Sequence, residues 1–303
     1  MAFVCEEGRD VPRLGCAHHD TERSGRGSGD RLGVGLKVLL MQEVSPQVYL
    51  IARPAIDWAE VERYLAAVGG TEWAQRIAAL GDRAEGESLI EFMGRMCYRS
   101  WAPGLNPNVT QVRRDSAAYL LNVLSSGHGS VLEHATYSFV FHNVSRVFTH
   151  ELVRHRAGTA VSQESLRYVR LTDIPFEHPA FVREDPALLE AANELLAQSE
   201  TFLRLATEKT GITEDGVPFH RKKEITSAMR RYVPDGVATS IGWSANIRAI
   251  RHTLELRTDA GAEEEIRRVF DRVGQLMAAE VPALFADFER DEQGTWRTSH
   301  HKV

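Results

Sequence analysis

Hydrophobic and polar positions alternate along one segment of the chain, which predicts a half-buried β-strand. This segment is "ATYSFVFHNV" at residues 135–144. A period of two residues places alternate side chains on opposite faces of a sheet. The β-rich runs "VYLIAR" at residues 48–53 and "VATSIGW" at residues 237–243 predict two further strands. The pattern therefore indicates a small, mostly antiparallel sheet.

Helical segments with polar caps outnumber these strands. Asp57, Asp115 and Ser145 each stand where a side-chain N-cap is expected, and Asp185-Pro186 combines an acidic cap with proline at the first helical position. The helical segments are predicted at residues 57–70, 115–127, 145–156, 185–210, 221–232, 244–257 and 261–288. The fold class predicted is α+β, a helix-rich single domain with a small sheet.

The two ends of the chain differ in composition from its middle. Residues 1–35 are rich in Gly, Arg, Asp and Ser without apolar periodicity, which predicts a disordered leader. Residues 36–290 form the predicted catalytic domain. Residues 291–303 are predicted to be a polar tail, and the sequence shows no internal repeat.

Composition limits the classes of partner. The apolar fraction is 43%, the charged fraction is 26%, and the formal net charge is −6. An acidic chain is not suited as a whole to coat nucleic acid or an anionic membrane, so bound anions require local arginine clusters. Three cysteines without metal-ligand spacing favour a reducing cytoplasm, and Cys97 is expected to be a small buried apolar residue. No apolar stretch approaches the roughly 20 residues of a membrane helix.

The stretch "HELVRHRAGTAVSQESLRY", residues 150–168, carries the densest candidate chemistry. A zinc hydrolase helix places two histidines four residues apart on one face. His150 and His155 are five residues apart, which is about 140° around a regular helix. They cannot share one ion from such a helix, and we expect no metal.

Arginines recur at three places, which favours a pocket for phosphorylated small molecules. The guanidinium group offers planar, bidentate donors for phosphate and for carbonyl groups. The three places contain Arg154, Arg156, Arg167 and Arg170; Arg230 and Arg231; and Arg248, Arg251 and Arg257. Gly158 allows close approach of the backbone. An alternative reading is a nucleic-acid-binding protein, although the stretch lacks the interleaved aromatic residues of single-strand binders.

Four motifs, in order, resemble those of the flavin-dependent thymidylate synthases. "RHR" followed by "SQESLRY" is similar to that family's RHR signature, with eight residues between the motif and Ser165 where seven are usual. The other three are "GHGSVLEH" at residues 127–134, "RRYVP" at residues 230–234 and "NIRAIRHTLELR" at residues 246–257. The resemblance covers residues 100–288.

The resemblance implies a homotetramer with sites shared between subunits and FAD at the interfaces. Such an enzyme converts dUMP to dTMP, with 5,10-methylenetetrahydrofolate as the carbon donor and NADPH as the electron donor through the flavin. Small-molecule nucleotide and folate substrates are then the partners besides the chain itself. An alternative hypothesis is a FAD-dependent nucleotide reductase or oxidase that has the same scaffold but does not transfer a methyl group.

The resemblance also implies roles for individual residues. Arg257 is the expected catalytic residue, because a guanidinium against the uracil ring stabilises its ionised form. Binding of dUMP is expected from Glu151, Arg154, Gln163, Glu164, Ser165, Leu166, Arg167, Arg230 and Arg257. Binding of FAD is expected from His128, Ser130, Arg154, His155, Arg156, Gln163, Asn246, Arg248 and His252. Glu151 departs from the family, where many members have glutamine.

Overall fold

A computed structural model describes residues 43–81, 83–166, 175–301 and 303 of the chain. The described residues lie in one compact unit. Its centre is a four-stranded, fully antiparallel sheet with the strand order β1-β2-β4-β3. The strands are β1 (Gln47–Ala52), β2 (Thr136–Ser145), β3 (Thr159–Gln163) and β4 (Ala238–Asn246). The predicted small antiparallel sheet is confirmed.

One face of the sheet forms the main core. Phe139 of β2 lies opposite Trp243 of β4, and Phe141 lies opposite Ile241. All four side chains are buried, in a cluster that includes Phe270. Because strand residues alternate between faces, the next positions along the strands are small or polar, and Ser138 hydrogen bonds to Ser244 across the opposite face at 2.8 Å.

Helices cover the core face and extend beyond it. Their bounds are α1 (Trp58–Val68), α2 (Thr71–Ala78), α3 (Glu85–Tyr98), α4 (Ser116–Ser125), α5 (Arg146–Leu152), α6 (Ala180–Arg183), α7 (Pro186–Thr210), α8 (Phe219–Met229), α9 (Ile247–Arg257), α10 (Glu264–Glu280) and α11 (Pro282–Phe285). Two 3₁₀ segments, Gly129–His134 and Arg230–Tyr232, complete the set. The described part of the chain is thus helix-rich α+β, as predicted. None of its helices is long and apolar enough to span a membrane.

The predicted helix caps are confirmed. Asp57 accepts a hydrogen bond from the backbone N–H of Glu60, and Asp115 accepts one from that of Ala118. Asp185 caps α7, which begins with Pro186. These side chains satisfy backbone donors that the first turn of a helix leaves free, which is why the sequence located the helix starts well.

Two predicted helices are wrong in extent. The segment at residues 145–156 is helical only to Leu152, so the RHR motif follows the helix instead of ending it. The segment at residues 261–288 is divided, because α10 ends at Glu280 and α11 begins at Pro282. Proline has no N–H to continue the ladder of α10 and fits the first turn of a new helix.

Two further differences concern the burial of Cys97 and the end of the chain. Cys97, predicted to be buried, is exposed, because it lies in the last turn of α3 where Met96 and Tyr98 are exposed too. The segment 291–303, predicted to be a polar tail, contains β6 (Trp296–Thr298), which pairs with β5 (Phe288–Arg290). Trp296 is buried. The predicted leader, residues 1–35, lies outside the described residues.

Candidate active site

The helices α5 and α9 form the frame of the candidate site. Each begins where a central strand ends, and each is capped by the last residue of that strand: Ser145 accepts from the N–H of Phe148, and Asn246 from that of Ala249. Because β2 and β4 are antiparallel, the two helices start from opposite ends of the sheet. Their C-terminal ends meet, since Arg257, the last residue of α9, contacts Glu151 of α5.

Three contacts hold the Arg257 guanidinium group. Its Nε donates to Nε2 of His155 at 2.7 Å, and its Nη1 donates to Oε2 of Glu151 at 2.6 Å. Its Nη2 donates to the backbone oxygen of Glu151 at 3.4 Å. The Arg257 side chain is 20% exposed, so the group is oriented by the protein and still accessible from one side. Arg257, Glu151 and His155 are called the Arg257 cluster below.

His155 is neutral in this cluster. Burial lowers the pKa of the His155 imidazole, and the nearby cation of Arg257 and the side chain of His252 lower it further, to about 4. Because arginine keeps its protons, Nε2 of His155 must be the acceptor in this hydrogen bond, which places the ring proton on Nδ1. His155 therefore offers one N–H donor from Nδ1.

The start of α9 carries two predicted flavin ligands with different surroundings. Asn246 is buried, and its side chain caps the helix. Gly158, at the entrance to β3, has φ 68°, and a side chain there would lie 2.5 Å from Nδ2 of Asn246. The close approach that was predicted at Gly158 is therefore an approach to the side chain of Asn246. Arg248, in contrast, is exposed, and donates from Nη1 to Glu133 Oε1 at 2.6 Å.

The remaining predicted flavin ligands lie on exposed segments. His128 precedes the 3₁₀ segment and stacks on Tyr98, with ring centroids 6.0 Å apart. Ser130 and His252 are exposed, and His252 lies 6.5 Å from His155, measured between ring centroids. The sequence analysis missed Tyr98, because only the folded chain brings the end of α3 beside His128.

Two predicted nucleotide ligands are tied into the sheet. Gln163 of β3 donates to the hydroxyl of Thr149, which is buried in α5. The backbone N–H of Glu164 donates to the oxygen of Ser240 at 2.9 Å, and the Glu164 carboxylate accepts from the Ser240 N–H at 3.2 Å. Both contacts fix the chain that leads to Ser165.

Several predicted nucleotide ligands, together with the predicted flavin ligand Arg156, take no part in the hydrogen bonds of the Arg257 cluster. Arg154 and Arg156 are exposed and, within the described residues, form no ion pair. Arg230 lies in the second 3₁₀ segment, where its Nε donates to the oxygen of Ser227 at 3.4 Å. The side chain of Leu166 is buried in a small apolar cluster. Arg167 and Arg170 lie outside the described residues.

Arg251 departs from the prediction made for its arginine group. It is 1% exposed and faces the core, where it donates from Nη1 and Nη2 to the two oxygens of Asp287 at 2.8 and 2.7 Å. It also lies 4.6 Å from the ring centre of Phe288. Arg251 is therefore a structural residue, whereas Arg248 and Arg257 of the same helix face outward.

On one chain the site is open. Two cavities of about 50 and 180 Å³ lie around α1, α2 and α3, and no predicted site residue lines either of them. The predicted ligands instead form a broad surface around the ends of α5 and α9. Within the described ranges, no three His, Cys, Asp or Glu side chains come together as a group that could hold a metal ion.

Comparison with known proteins gives a consistent result. Residues 79–283 match the model of the family described as "Thymidylate synthase complementing protein". A flavin-dependent thymidylate synthase of Mycobacterium marinum is 38% identical over 212 residues, which are 69% of this chain and 82% of that protein. Its counterpart in Mycolicibacterium gilvum is 34% identical over 255 residues, 82% of this chain and 92% of that protein. A third, from Mycobacterium avium, is 37% identical over 211 residues.

Proposed function

This chain belongs to the flavin-dependent thymidylate synthase family, and from that premise we propose that it converts dUMP to dTMP by reductive methylation. The carbon comes from 5,10-methylenetetrahydrofolate as a methylene group, and NADPH supplies the hydride that reduces it to methyl. The products are then dTMP, tetrahydrofolate and NADP⁺. FAD, when bound, accepts the hydride from NADPH and passes it on.

The observation that carries the proposal is the state of the Arg257 guanidinium group. Of its five N–H donors, three are used by His155 and Glu151, so two remain, one on each terminal nitrogen. Guanidinium N–H groups can donate to a carbonyl oxygen of uracil and, once N3 has lost its proton, to that nitrogen on the same edge of the ring. A fixed cation at this edge stabilises the negative charge that the ring must carry when its carbon acts as a nucleophile.

Glu151 supports Arg257 in this arrangement. The predicted role of Glu151 was a direct contact to dUMP, and a carboxylate next to a phosphate would repel it. In the Arg257 cluster its Oε2 accepts from Nη1 of Arg257 at 2.6 Å. We therefore assign Glu151 to the uracil end of the nucleotide, where it orients Arg257.

The phosphate of dUMP requires cations that the fold leaves available. Arg154 and Arg156 have no ion-pair partner within the described residues, and they follow directly after α5. Ser165 and Arg167 are assigned to the phosphate by the family motif, and the Leu166 between them can contribute only its backbone, because its side chain is buried. Gln163 and Glu164 hold this segment against Thr149 and Ser240.

The donor set around α9 fits a flavin dinucleotide. His155 offers Nδ1–H, the hydroxyl of Ser130 and the imidazoles of His128 and His252 are exposed, and Arg248 is partly exposed beside Glu133. These groups supply the hydrogen bonds and positive charge that a flavin ring and a diphosphate need. Asn246 contributes mainly by fixing the start of α9, since its side chain is buried and caps the helix.

A homotetramer accounts for the open form of the site. A bound cofactor of this size requires a concave site that buries most of its surface. On one chain the predicted ligands line neither cavity, and the Nε of Arg230 donates to the backbone oxygen of Ser227. We place Arg230 of a second copy over the nucleotide of the first.

The test is a visible spectrum followed by product analysis. The purified protein, loaded with FAD, should show a flavin spectrum that bleaches when NADPH and dUMP are added without oxygen. Adding 5,10-methylenetetrahydrofolate should restore the oxidised spectrum and yield one dTMP for each FAD reduced. Bleaching without any dTMP would leave a nucleotide-dependent flavin reductase and reject methyl transfer. A protein that takes up no flavin would reject the whole proposal.

A further inference from the structure

The last part of the chain holds the helix that carries Arg257. Residues 287–301, called the C-terminal brace here, lie beyond residue 283, where the match to the family model ends. The brace contains the β5–β6 hairpin and contacts α9 at three levels. Each level is a hydrogen bond or ion pair, to Arg251 and Glu255 of α9 and to Thr258, which directly follows the helix.

The first level fixes the inner side of α9. Arg251 forms its bidentate ion pair with Asp287, which is also the acceptor for the Thr298 hydroxyl at 2.5 Å. The side chains of Arg251 and Asp287 are 1% and 4% exposed. A buried arginine with a bidentate partner of this kind holds the helix in one position, because breaking the pair would leave an uncompensated buried charge.

The second level fixes the end of the helix. Thr258, the residue after Arg257, is 1% exposed. Its Oγ1 accepts from the backbone N–H of Trp296 at 2.9 Å and donates to the oxygen of Leu254 at 2.8 Å. The last turn of a helix normally frays because its carbonyl groups lack partners. Here the turn that carries Arg257 is closed by Thr258 and tied to the brace.

Trp296 is itself held in place. Its indole Nε1 donates to Asp271 of α10 at 2.8 Å, and its ring lies so near Gly274 that a side chain at that position would come within 2.5 Å. The position of Thr258 is therefore set by α10 through Trp296 and does not depend on α9 alone.

The third level is an exposed contact, in which Nδ1 of His301 lies 2.5 Å from Oε1 of Glu255.

We propose that the C-terminal brace positions Arg257 for turnover, with Thr258 and Trp296 as the positioning residues. The inference rests on the proposed function, in which Arg257 touches the uracil ring. Arg257 leaves the helix at the residue next to Thr258, so release of Thr258 lets the guanidinium group move away from His155 and Glu151. A displacement of about 1 Å at a reacting group can reduce turnover by about a hundredfold.

Thr258→Val tests the proposal, because valine keeps the shape and removes the acceptor for the Trp296 N–H. Thr258→Ser is the matched control that restores the hydroxyl, and Leu65→Val, in a separate apolar cluster, is the control for a general loss of stability. Each variant is purified with FAD, its stability is measured by urea unfolding, and kcat and KM for dUMP are determined well below the unfolding temperature. The pKa of His155 is measured by NMR in the ligand-free protein.

We expect Thr258→Val to lower kcat about tenfold, with little change in KM, and to raise the pKa of His155 because Arg257 no longer lies beside it. Thr258→Ser should keep both values near those of the original protein, and Leu65→Val should change neither. If Thr258→Val does not fold, Thr298→Val decides the question, because it removes the hydroxyl that donates to Asp287 and so loosens the brace. We then expect a smaller decrease in kcat and a smaller rise in the pKa of His155.

Two results would overturn the proposal that the C-terminal brace positions Arg257. One is an unchanged His155 pKa, which would mean that Thr258 does not hold Arg257. The other is a raised His155 pKa with normal kcat, which would mean that the position so fixed does not matter for turnover. Failure of the proposed function is distinct, since the original protein would then form no dTMP. Failure of the role assigned to Arg257 would appear as normal dTMP formation after Arg257→Ala, whatever Thr258→Val does.

Discussion

Two arginine–carboxylate clusters in this protein have similar distances and opposite consequences. In α3, Glu91 accepts from Arg95 Nε at 2.8 Å and from Arg83 Nη1 at 2.6 Å, with Trp73 as a third donor at 2.9 Å. In the Arg257 cluster, Glu151 accepts from Nη1 at 2.6 Å. Both Glu91 and Arg95 have 0% side-chain exposure, whereas Glu151 and Arg257 have 29% and 20%.

The difference lies in what each arginine has left to offer. Arg95 directs its two terminal nitrogens to the backbone oxygens of Ser100 and Arg113, and Tyr119 covers it at 4.2 Å. It has no open side for a ligand. Arg257 keeps one N–H on each terminal nitrogen and an accessible side. A short ion pair therefore does not distinguish a structural arginine from a functional one. The number of unused N–H groups and the exposure of the guanidinium group do.

Arg257→Ala should produce the largest effect that this comparison predicts. We expect dTMP formation to fall by about a thousandfold or more, because the variant loses the cation that stabilises the ionised ring. Bound FAD and the unfolding midpoint should change little, since Arg257 is partly exposed. The measurement is single-turnover dTMP formation beside the flavin absorbance of the purified variant.

Arg268→Ala is the matched control for Arg257→Ala. Arg268 is likewise a partly exposed arginine paired with a glutamate, Glu177, but it lies on α10 outside the site. Its loss should leave turnover unchanged. If Arg257→Ala retained near-normal turnover, the unused N–H groups of Arg257 would have no catalytic role. The two clusters would then not differ in function.

Glu91→Gln should produce the next largest effect, and only on stability. Glutamine keeps the shape of the side chain but leaves the charge of Arg95 buried without its counter-ion, which should cost about 3 kcal/mol. Glu151→Gln makes the same change in the accessible cluster, where an exposed ion pair contributes less than about 1 kcal/mol. Urea unfolding of the two variants gives the two values. Equal losses would show that exposure does not separate the clusters.

The sequence predicted which residues belong to the candidate site, but not the contacts that hold them. The order of the motifs identified residues on α5, β3 and α9, and the predicted cap Ser145 located the start of α5, whereas α9 begins at Ile247, three residues later than predicted. Arg251 was misplaced although the pattern contained its answer: it lies four residues after Ile247 and three before Leu254, on the same buried face. Local periodicity can place a residue on a face in this way.

The remaining differences depend on distant parts of the chain. Glu151 and Arg257 are 106 residues apart, and their contact requires α5 and α9 to start from opposite ends of an antiparallel sheet. The β5–β6 hairpin escaped prediction because its strands have three residues each and are dominated by polar side chains. Only burial of Trp296 against α10 makes that segment part of the fold.

Acid should separate the two clusters, because their titrating groups respond over different pH ranges. Burial opposes ionisation of Glu91, but Arg95 and the donors around it lower the pKa of the carboxyl group to about 2, from an ordinary value of 4.5. Its contribution to stability is present above pH 4.5 and is lost as the pH falls through about 2. The pKa of His155 is also lowered, from 6.5 to about 4, so its contribution is present above pH 6.5 and is lost as the pH falls through about 4.

Near pH 4 His155 of the folded protein takes up a proton, so the Arg257 cluster should weaken there while the α3 cluster keeps its charge. Protonation of His155 removes the lone pair that accepts from Arg257 Nε and places two cations in contact. The NMR titration of His155 should give a pKa near 4 in the original protein and in Arg268→Ala, and a higher value in Arg257→Ala, where one of the causes of the lowering is gone. A His155 that titrates identically in all three proteins would show that Arg257 is not held against it. The two clusters would then differ in burial alone, and the accessible arginine would lose the fixed orientation on which its proposed role depends.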